Sequence, residues 1–315
     1  MASALSNVVD VPDRADVWAV GEPLVAFSLV GRGSQARAHC CLAGAELNVM
    51  VGVARLGLAS VIVGRVGQDA LGAWIGSQLS GEGVATWAIR TDSERPTGFF
   101  YKDVGADGEP TRRYCRHGSA GSALDETDVP GQLATRARAL VVSGLTTLLS
   151  SGSWQAALCA ARLARDAGTT VLVDLNLRPG LAGSDDRVRR VRSLAEHASV
   201  VLGTPHEYAE VLEASAGSQR SLAEQGARRW PDADIVIHDA EGAGLLGQGR
   251  WTTVGTTPLP VVDASGAGDA FTAGVITGML RGGSARDALE LGNSCARAQL
   301  QTHGDCDGIP RGMTA

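Results

Sequence analysis

Lysine is almost absent from this 315-residue chain: Lys102 is the only one, and its other basic side chains, histidines aside, are arginines. A phosphate loop of the Walker type needs Gly-Lys-Ser/Thr, so any nucleotide site here must be of another kind. No stretch of about eighteen apolar residues is present, so no membrane-spanning helix is expected. Met1–Asp16 lacks the basic segment and apolar core of a secretory signal. The six cysteines (Cys40, Cys41, Cys115, Cys159, Cys295, Cys306) include no CxxC pair, and the adjacent Cys40 and Cys41 suit neither an ordinary disulfide nor zinc-ligand spacing. Free thiols and a soluble, cytoplasmic protein are expected. A formal net charge of −6 disfavours nonspecific binding to nucleic acid or to an anionic membrane. His206 and Glu207 do not begin an HExxH zinc motif, because residue 210 is glutamate.

What is present reads as an α/β chain. Apolar content of 44% and charged content of 20% are ordinary for a globular protein, and the length fits one large domain with or without a small appendage. After a loose tail at Met1–Ala15, strands are expected at Val17–Val20, Leu24–Val30 and Arg37–Leu42, the last two separated by a turn at Gly31–Ser34. Gly44–Leu56 has helical spacing, with Leu47, Met50, Val51, Ala54 and Leu56 available for one buried side. A strand at Val61–Val63 and a helix beginning at Gly67–Asp69 follow. Thr97–Val104 and Thr111–His117 flank a turn at Gly105–Pro110 and suggest a hairpin. From Leu140 onward strands alternate with helices: strands at Leu140–Ser143, Thr170–Asp174, Val200–Gly203 and Ile235–His238, helices at Ser153–Ala167, Asp185–His197, His206–Ala214 and Ser221–Trp230. That alternation predicts a parallel sheet with helices on both faces. The early strands and the hairpin do not fit it and are expected to form a separate small sheet, a lid that excludes water from the site.

The densest chemical signal is Val261–Gly274, VVDASGAGDAFTAG. A turn at Gly266, Ala267 and Gly268 leads into a helix, so backbone N–H groups converge where the helix dipole also favours an anion. Asp269 beside such a pocket suggests phosphoryl transfer, with the carboxylate accepting a hydroxyl proton. At Gly44–Asn48 small residues allow close approach of a ligand, and Asn48 offers both donor and acceptor. Tyr114 and Arg116 share one strand face, and Arg178 follows a strand end, where α/β sheets bind ligands. Two converging arginines suit a carboxylate and point to an anionic substrate. Gly242–Gly247 is a formal GxGxxG, but it leads into a strand, so it is read as a β-turn segment and not as a dinucleotide fingerprint.

The string DxxGAGDAFxAG resembles the C-terminal signature of the ribokinase-like (PfkB) carbohydrate kinases, and VGRVGQDALG (Val63–Gly72) resembles their N-terminal one. GEPLVAF (Gly21–Phe27), TGFFYK (Thr97–Lys102), RYCRHGSAGSAL (Arg113–Leu124), SGLTTLLS (Ser143–Ser150), DLNLRP (Asp174–Pro179) and the GDCDGIP ending (Gly304–Pro310) are similar to the kinases of this family that act on 2-keto-3-deoxygluconate. The resemblance covers nearly the whole chain after Asp16. It implies a three-layer α/β/α core with a mostly parallel sheet over residues 16–315, and a lid formed by about 24–43 and 96–118. It also implies ATP and Mg2+, with a monovalent cation as a further candidate, and an acid sugar phosphorylated at its terminal (6-) hydroxyl; the exposed edge of the lid sheet favours a homo-oligomer. By the same resemblance Asp269 is the base and Gly266, Ala267 and Gly268 form the anion hole. Gly44, Asn48, Phe100, Tyr114, Arg116 and Arg178 line the sugar pocket, Thr204, His238, Gly242, Gly244, Gly268 and Asn293 serve the nucleotide, and Glu207 serves the metal. Three positions depart from the pattern: Phe100 replaces a hydroxyl-bearing aromatic, His238 stands where many relatives carry lysine, and Thr204 replaces the asparagine of an NxxE motif. A neutral-sugar kinase such as a fructokinase, or a sugar-binding relative without catalysis, are the alternative readings.

Overall fold

Strand β1 (Ala15–Val20) is buried on both faces, and its side chains divide the interior in two: Val17 and Ala19 join one apolar cluster, Trp18 and Val20 the other. The computed structural model describes residues 15–30, 37–104, 110–178, 181 and 183–313. The expected tail at 1–14, the turn at 31–34, the hairpin tip at 105–109 and Pro179 lie outside the described residues. Ala15 is part of β1, where it pairs with Ala137, and not of a tail.

β1 pairs in parallel with β4 (Ser60–Gly67) and with β9 (Ala137–Ser143). Beyond β9 come β10 (Thr170–Asp174), β11 (Val200–Gly203) and β12 (Asp234–His238), all parallel, then β13 (Gly242–Gly247) and β14 (Arg250–Gly255), both antiparallel. Beyond β4 lies β5 (Val84–Ala85), and β6 (Ile89–Asp92) also pairs with β4. Both faces of this ten-stranded sheet are covered, which is why its central strands read as apolar runs instead of alternating. On one face α5 (Ser151–Asp166), α6 (Ser184–Ala195), α7 (Pro205–Leu212) and α8 (Gln219–Arg229) contribute Ala160, Leu194, Val211 and Leu222 to the cluster around Trp18. On the other, α1 (Ala45–Arg55), α2 (Ala70–Glu82), α9 (Ala267–Leu280) and α10 (Ala285–Leu300) contribute Leu47, Ile75, Phe271 and Leu289 to the cluster around Val17.

Two expectations are corrected. Helix α1 does not bury one side only: every residue from Ala45 to Val53 is buried, because α9 packs on it so closely that a Cβ on Gly52 would come within 2.7 Å of Ala273 Cβ. The GxGxxG segment is not a turn but strand β13, paired with β12 and β14. Helices α3 (Gly131–Arg136) and α4 (Gly144–Leu149) have six residues each and no side-chain cap; Ser143, at the N-cap of α4, gives its hydroxyl to Glu46 instead. All six cysteines are free thiols. No helix among the described residues is long and apolar enough to cross a membrane.

The early strands form their own four-stranded sheet, in the order β3 (Arg37–Ala43), β2 (Leu24–Val30), β7 (Phe99–Val104), β8 (Pro110–Cys115). Period-two alternation gives it two faces. On one, Phe100 meets Tyr114 at a tilt with ring centroids 5.1 Å apart and Lys102 lies opposite Arg112; on the other, Phe99 meets Phe27 edge-on at 5.6 Å. The first of these faces looks into the cavity described next.

Candidate active site

The α9 N-terminus is open by construction. Its N-cap, Gly266, has φ +72, and a Cβ there would lie 1.7 Å from the carbonyl oxygen of Asp305, so only glycine fits the turn. No side chain caps the helix, which leaves the first-turn amides of Ala267 and Gly268 without intrahelical partners. Residues Gly266 to Asp269 line a cavity of about 800 Å³ between the small sheet and the strand ends of the large one.

Asp269 sits in that first turn, 7% exposed. Burial pushes its carboxyl up to about 7, against the pull of a hydrogen bond from Asn48 and of the Arg178 charge. Asn48 Nδ2 donates to Asp269 Oδ2 at 2.7 Å across the α1–α9 contact. Its Oδ1 is buried with no partner among the described residues. Asn48 is held in place by the entry to α1: Gly44 has φ +125, and a Cβ there would meet the Glu22 carbonyl oxygen at 2.4 Å.

The ends of β10 and β11 form the opposite wall. Asp174 is buried, and its carboxyl is raised well above the usual range by burial, then by the charges of Glu207 and Asp269. It accepts from the backbone N of Asn176 at 3.2 Å. Glu207 closes a capping box on α7: its Oε2 accepts from Thr204 N at 2.8 Å, and Thr204 Oγ1 accepts from Glu207 N at 3.3 Å. Glu207 Oε1 also accepts from Leu177 N at 3.0 Å, pinning the loop that presents Arg178. Arg178 is exposed and lines the same cavity. Thr204 thus caps the helix that carries Glu207, a role the sequence reading did not assign to it.

The pocket also brings Arg116 to its wall, but with its charge already met. Arg116 Nε donates to Glu22 Oε2 at 2.7 Å, a second guanidinium nitrogen pairs with the same oxygen, and Ser119 Oγ donates to Glu22 Oε1 at 2.6 Å. Glu22 is 2% exposed. The sequence reading missed it, although a glutamate two residues after the apolar run Val17–Val20 is a signal for a charge near the core that needs a partner. Also missed were Lys102, Arg112, Asp263, Ser265 and Asp305, which line the cavity beside Gly266.

Residues 16–311 match the pattern of the pfkB family of carbohydrate kinases. The chain belongs to that family. It is 34% identical over 272 residues to a 2-dehydro-3-deoxygluconokinase of Bacillus subtilis (strain 168), covering 85% of this chain and 83% of the relative. It is 32% identical over 274 residues to a 5-dehydro-2-deoxygluconokinase of Geobacillus kaustophilus (strain HTA426), covering 85% and 81%. The crystal structure of a 2-dehydro-3-deoxygluconokinase from Thermotoga maritima has the same fold, with a TM-score of 0.86 at 23% identity over 93% of this chain and 94% of that one. The protein is an ATP-dependent sugar kinase with the ribokinase-like α/β fold.

Of the residues assigned to the nucleotide in this PfkB-family kinase, Thr204, His238 and Gly268 line the cavity. His238 ends β12 and stacks on Phe271 with ring centroids 4.4 Å apart; burial lowers its pKa to about 4, so it is neutral and cannot stand in for a lysine charge. It does face the cavity near Gly268. Gly242 and Gly244 are not among the cavity-lining residues. They lie in β13, where a Cβ on Gly244 would strike the Trp251 ring at 2.1 Å, so the missing side chain serves packing. Asn293 is likewise outside the cavity, on α10, with its Nδ2 3.5 Å from the Val254 carbonyl oxygen.

Proposed function

We propose that this kinase transfers the terminal phosphoryl group of ATP to the 6-hydroxyl of 2-keto-3-deoxy-D-gluconate, giving 2-keto-3-deoxy-6-phosphogluconate. The observation that carries the reading is a buried carboxyl, Asp269, poised near neutrality in the first turn of an uncapped helix and sharing its cavity with Arg178. A base with a pKa close to the working pH combines adequate ionisation with adequate basicity. Asp269 takes the proton of the sugar hydroxyl as its oxygen bonds to phosphorus, and ADP departs. The amides of Ala267 and Gly268 and the α9 dipole stabilise charge on the transferred group. Asn48 orients Asp269 and keeps its carboxylate form accessible. The small sheet, with Phe100 and Tyr114 facing inward, keeps water away from the phosphoryl group.

Mg2+ fits the donor set. Asp174 and Glu207 present two oxygen-bearing side chains to the cavity, and their mutual repulsion is what a cation relieves. No cluster of three or more metal-binding side chains exists among the described residues, in keeping with an ion held by one or two carboxylates plus phosphate and water. Asp174 and Glu207 are the groups that would hold it. When bound it supplies charge neutralisation for the triphosphate.

The substrate class rests on Arg178. With Arg116 paired to Glu22 and Arg112 bonded to Ser265 Oγ, Arg178 is the cavity arginine assigned to a sugar carboxylate. The identities to relatives named for two different deoxy-keto acids support the acid class and leave 5-dehydro-2-deoxygluconate as the second reading. The test is ADP release from MgATP with both keto-deoxy acids, the galactonate epimer, fructose and ribose. 2-Keto-3-deoxygluconate is expected to give the highest kcat/KM, with the neutral sugars about 10- to 100-fold lower, since a neutral sugar forgoes the charge-assisted bonds that a carboxylate makes to an arginine fork. Fructose turned over as well as the acids would sink the assignment of Arg178. Exchanging potassium for sodium in the same assay tests the monovalent cation.

A further inference from the structure

One ammonium group is built into the loop that leads to α9. Lys102 belongs to β7 of the small sheet, yet its Nζ donates to Asp263 Oδ2 at 2.6 Å and to Ser265 Oγ at 2.9 Å, and it is ion-paired with Asp305 Oδ1 at 3.1 Å. Its cross-strand neighbour Arg112 donates from Nη2 to the same Ser265 Oγ at 2.7 Å. These acceptors come from two segments separated in sequence, and both touch the anion-hole turn. Asp263 and Ser265 immediately precede Gly266, with Ser265 N donating to Asp263 Oδ1 at 2.9 Å. The Asp305 carbonyl oxygen fills the space where Gly266 lacks a side chain. Gln299 Nε2 ties the two segments together by donating to the carbonyl oxygens of Ser265 at 3.2 Å and Gly304 at 2.7 Å. Asp305 is 8% exposed, and a carboxylate so buried needs a cation within reach.

We propose that Lys102 is a positioning residue for phosphoryl transfer. Its ammonium, delivered by the small sheet, holds the Asp263–Ser265 and Asp305 segments so that the Ala267 and Gly268 amides and Asp269 keep the geometry the reaction needs. A chain that otherwise uses arginine keeps its single lysine here because a compact ammonium can sit among three oxygens from different directions, whereas a planar guanidinium makes its bonds in a fixed fork. The inference rests on the reading that the first turn of α9 receives the transferred group.

The test compares Lys102→Met, which keeps the stem and removes the charge, with Lys102→Arg, which keeps the charge. In steady-state assays with the sugar that the wild type uses best, Lys102→Met is expected to lose about 10–100-fold in kcat, with KM for MgATP and for the sugar changed less than about threefold. Lys102→Arg is expected to recover at least about a third of the lost logarithm in kcat, since it restores charge in imperfect geometry. A Lys102→Met enzyme within about threefold of wild-type kcat overturns the proposal, as does a folded Lys102→Arg enzyme no faster than Lys102→Met. Thermal unfolding accompanies both. If Lys102→Met does not fold, Lys102→Arg decides alone: turnover within about tenfold of wild type supports the proposal, and a folded enzyme slower than that overturns it. Asp269→Asn is assayed alongside; full turnover there would refute the base assignment itself, whatever the Lys102 pair does.

Discussion

Asn48 tunes Asp269, and the size of that effect can be worked out. Its Nδ2 donates to the carboxylate at 2.7 Å with both residues buried. Asn48→Leu removes the donor and keeps most of the volume. A hydrogen bond to a charged group is worth about 1.5–3 kcal/mol, and one pKa unit is about 1.4 kcal/mol, so the Asp269 pKa should rise by about 1–2 units. From a starting value of about 7, the acid limb of kcat/KM against pH should move to about 8–9. At pH 7 the ionised fraction falls from about one half to between about a tenth and a hundredth, so kcat/KM drops about 5–50-fold through this effect alone. The assay is ADP release at limiting sugar from pH 5.5 to 9.5. Any direct contact of Asn48 with the sugar lowers the alkaline plateau, whereas the coupling to Asp269 moves the limb, so the two roles separate in one experiment. A limb that stays in place, or moves to lower pH, would mean that Asp269 is not the group whose ionisation controls turnover.

Other consequences follow from neighbouring geometry. Gly266→Ala forces a Cβ against the Asp305 carbonyl at a left-handed φ; stability should fall by about 1–3 kcal/mol in urea unfolding, with kcat lowered about 100-fold or more, and a wild-type kcat would show that the turn does not shape the anion hole. Glu22→Gln removes the charge that meets the half-buried Arg116; a loss of about 1–3 kcal/mol in the same measurement is expected, and a neutral result would return Arg116 to ligand binding. Asp269 titrates near 7 in the fold and near 4 when unfolded, so its ionisation costs the native state. Wild-type stability should therefore decline between about pH 4 and pH 7, by up to about 4 kcal/mol, while Asp269→Asn escapes this. The variant should melt higher than wild type at pH 8 and equal to it near pH 4, as read by calorimetry. Arg178→Gln should raise KM for the acid sugar about 10–100-fold and leave neutral sugars unchanged in the substrate panel.

Much of this was legible in the sequence because local chemistry and global packing agree. The strand–helix alternation after Leu140 marked β9 to β12 to within a few residues, since each strand is a short apolar run bounded by polar turns. The GAGD segment revealed its uncapped helix because small residues before an acidic first turn have few other uses. What stayed hidden were partnerships across distance. Arg116 looks free in sequence, and only the packing of 22 against 116 and 119 shows its charge spent on Glu22. Lys102 drew notice for its rarity, yet its bonds span 161 and 163 residues to Asp263 and Ser265, beyond any local pattern. The glycines of β13 match a ligand motif by letter, and local pattern does not show that a side chain on Gly244 would strike the Trp251 ring or that one on Gly242 would strike the Val254 carbonyl oxygen.

The central claim is that Asp269 is the base of an acid-sugar kinase, and its most direct test is the turnover of Asp269→Asn with MgATP and 2-keto-3-deoxygluconate. The expected result is a fall of about 100- to 10,000-fold in kcat with nucleotide and sugar binding largely retained. An Asp269→Asn enzyme that turns over at the wild-type rate would contradict it.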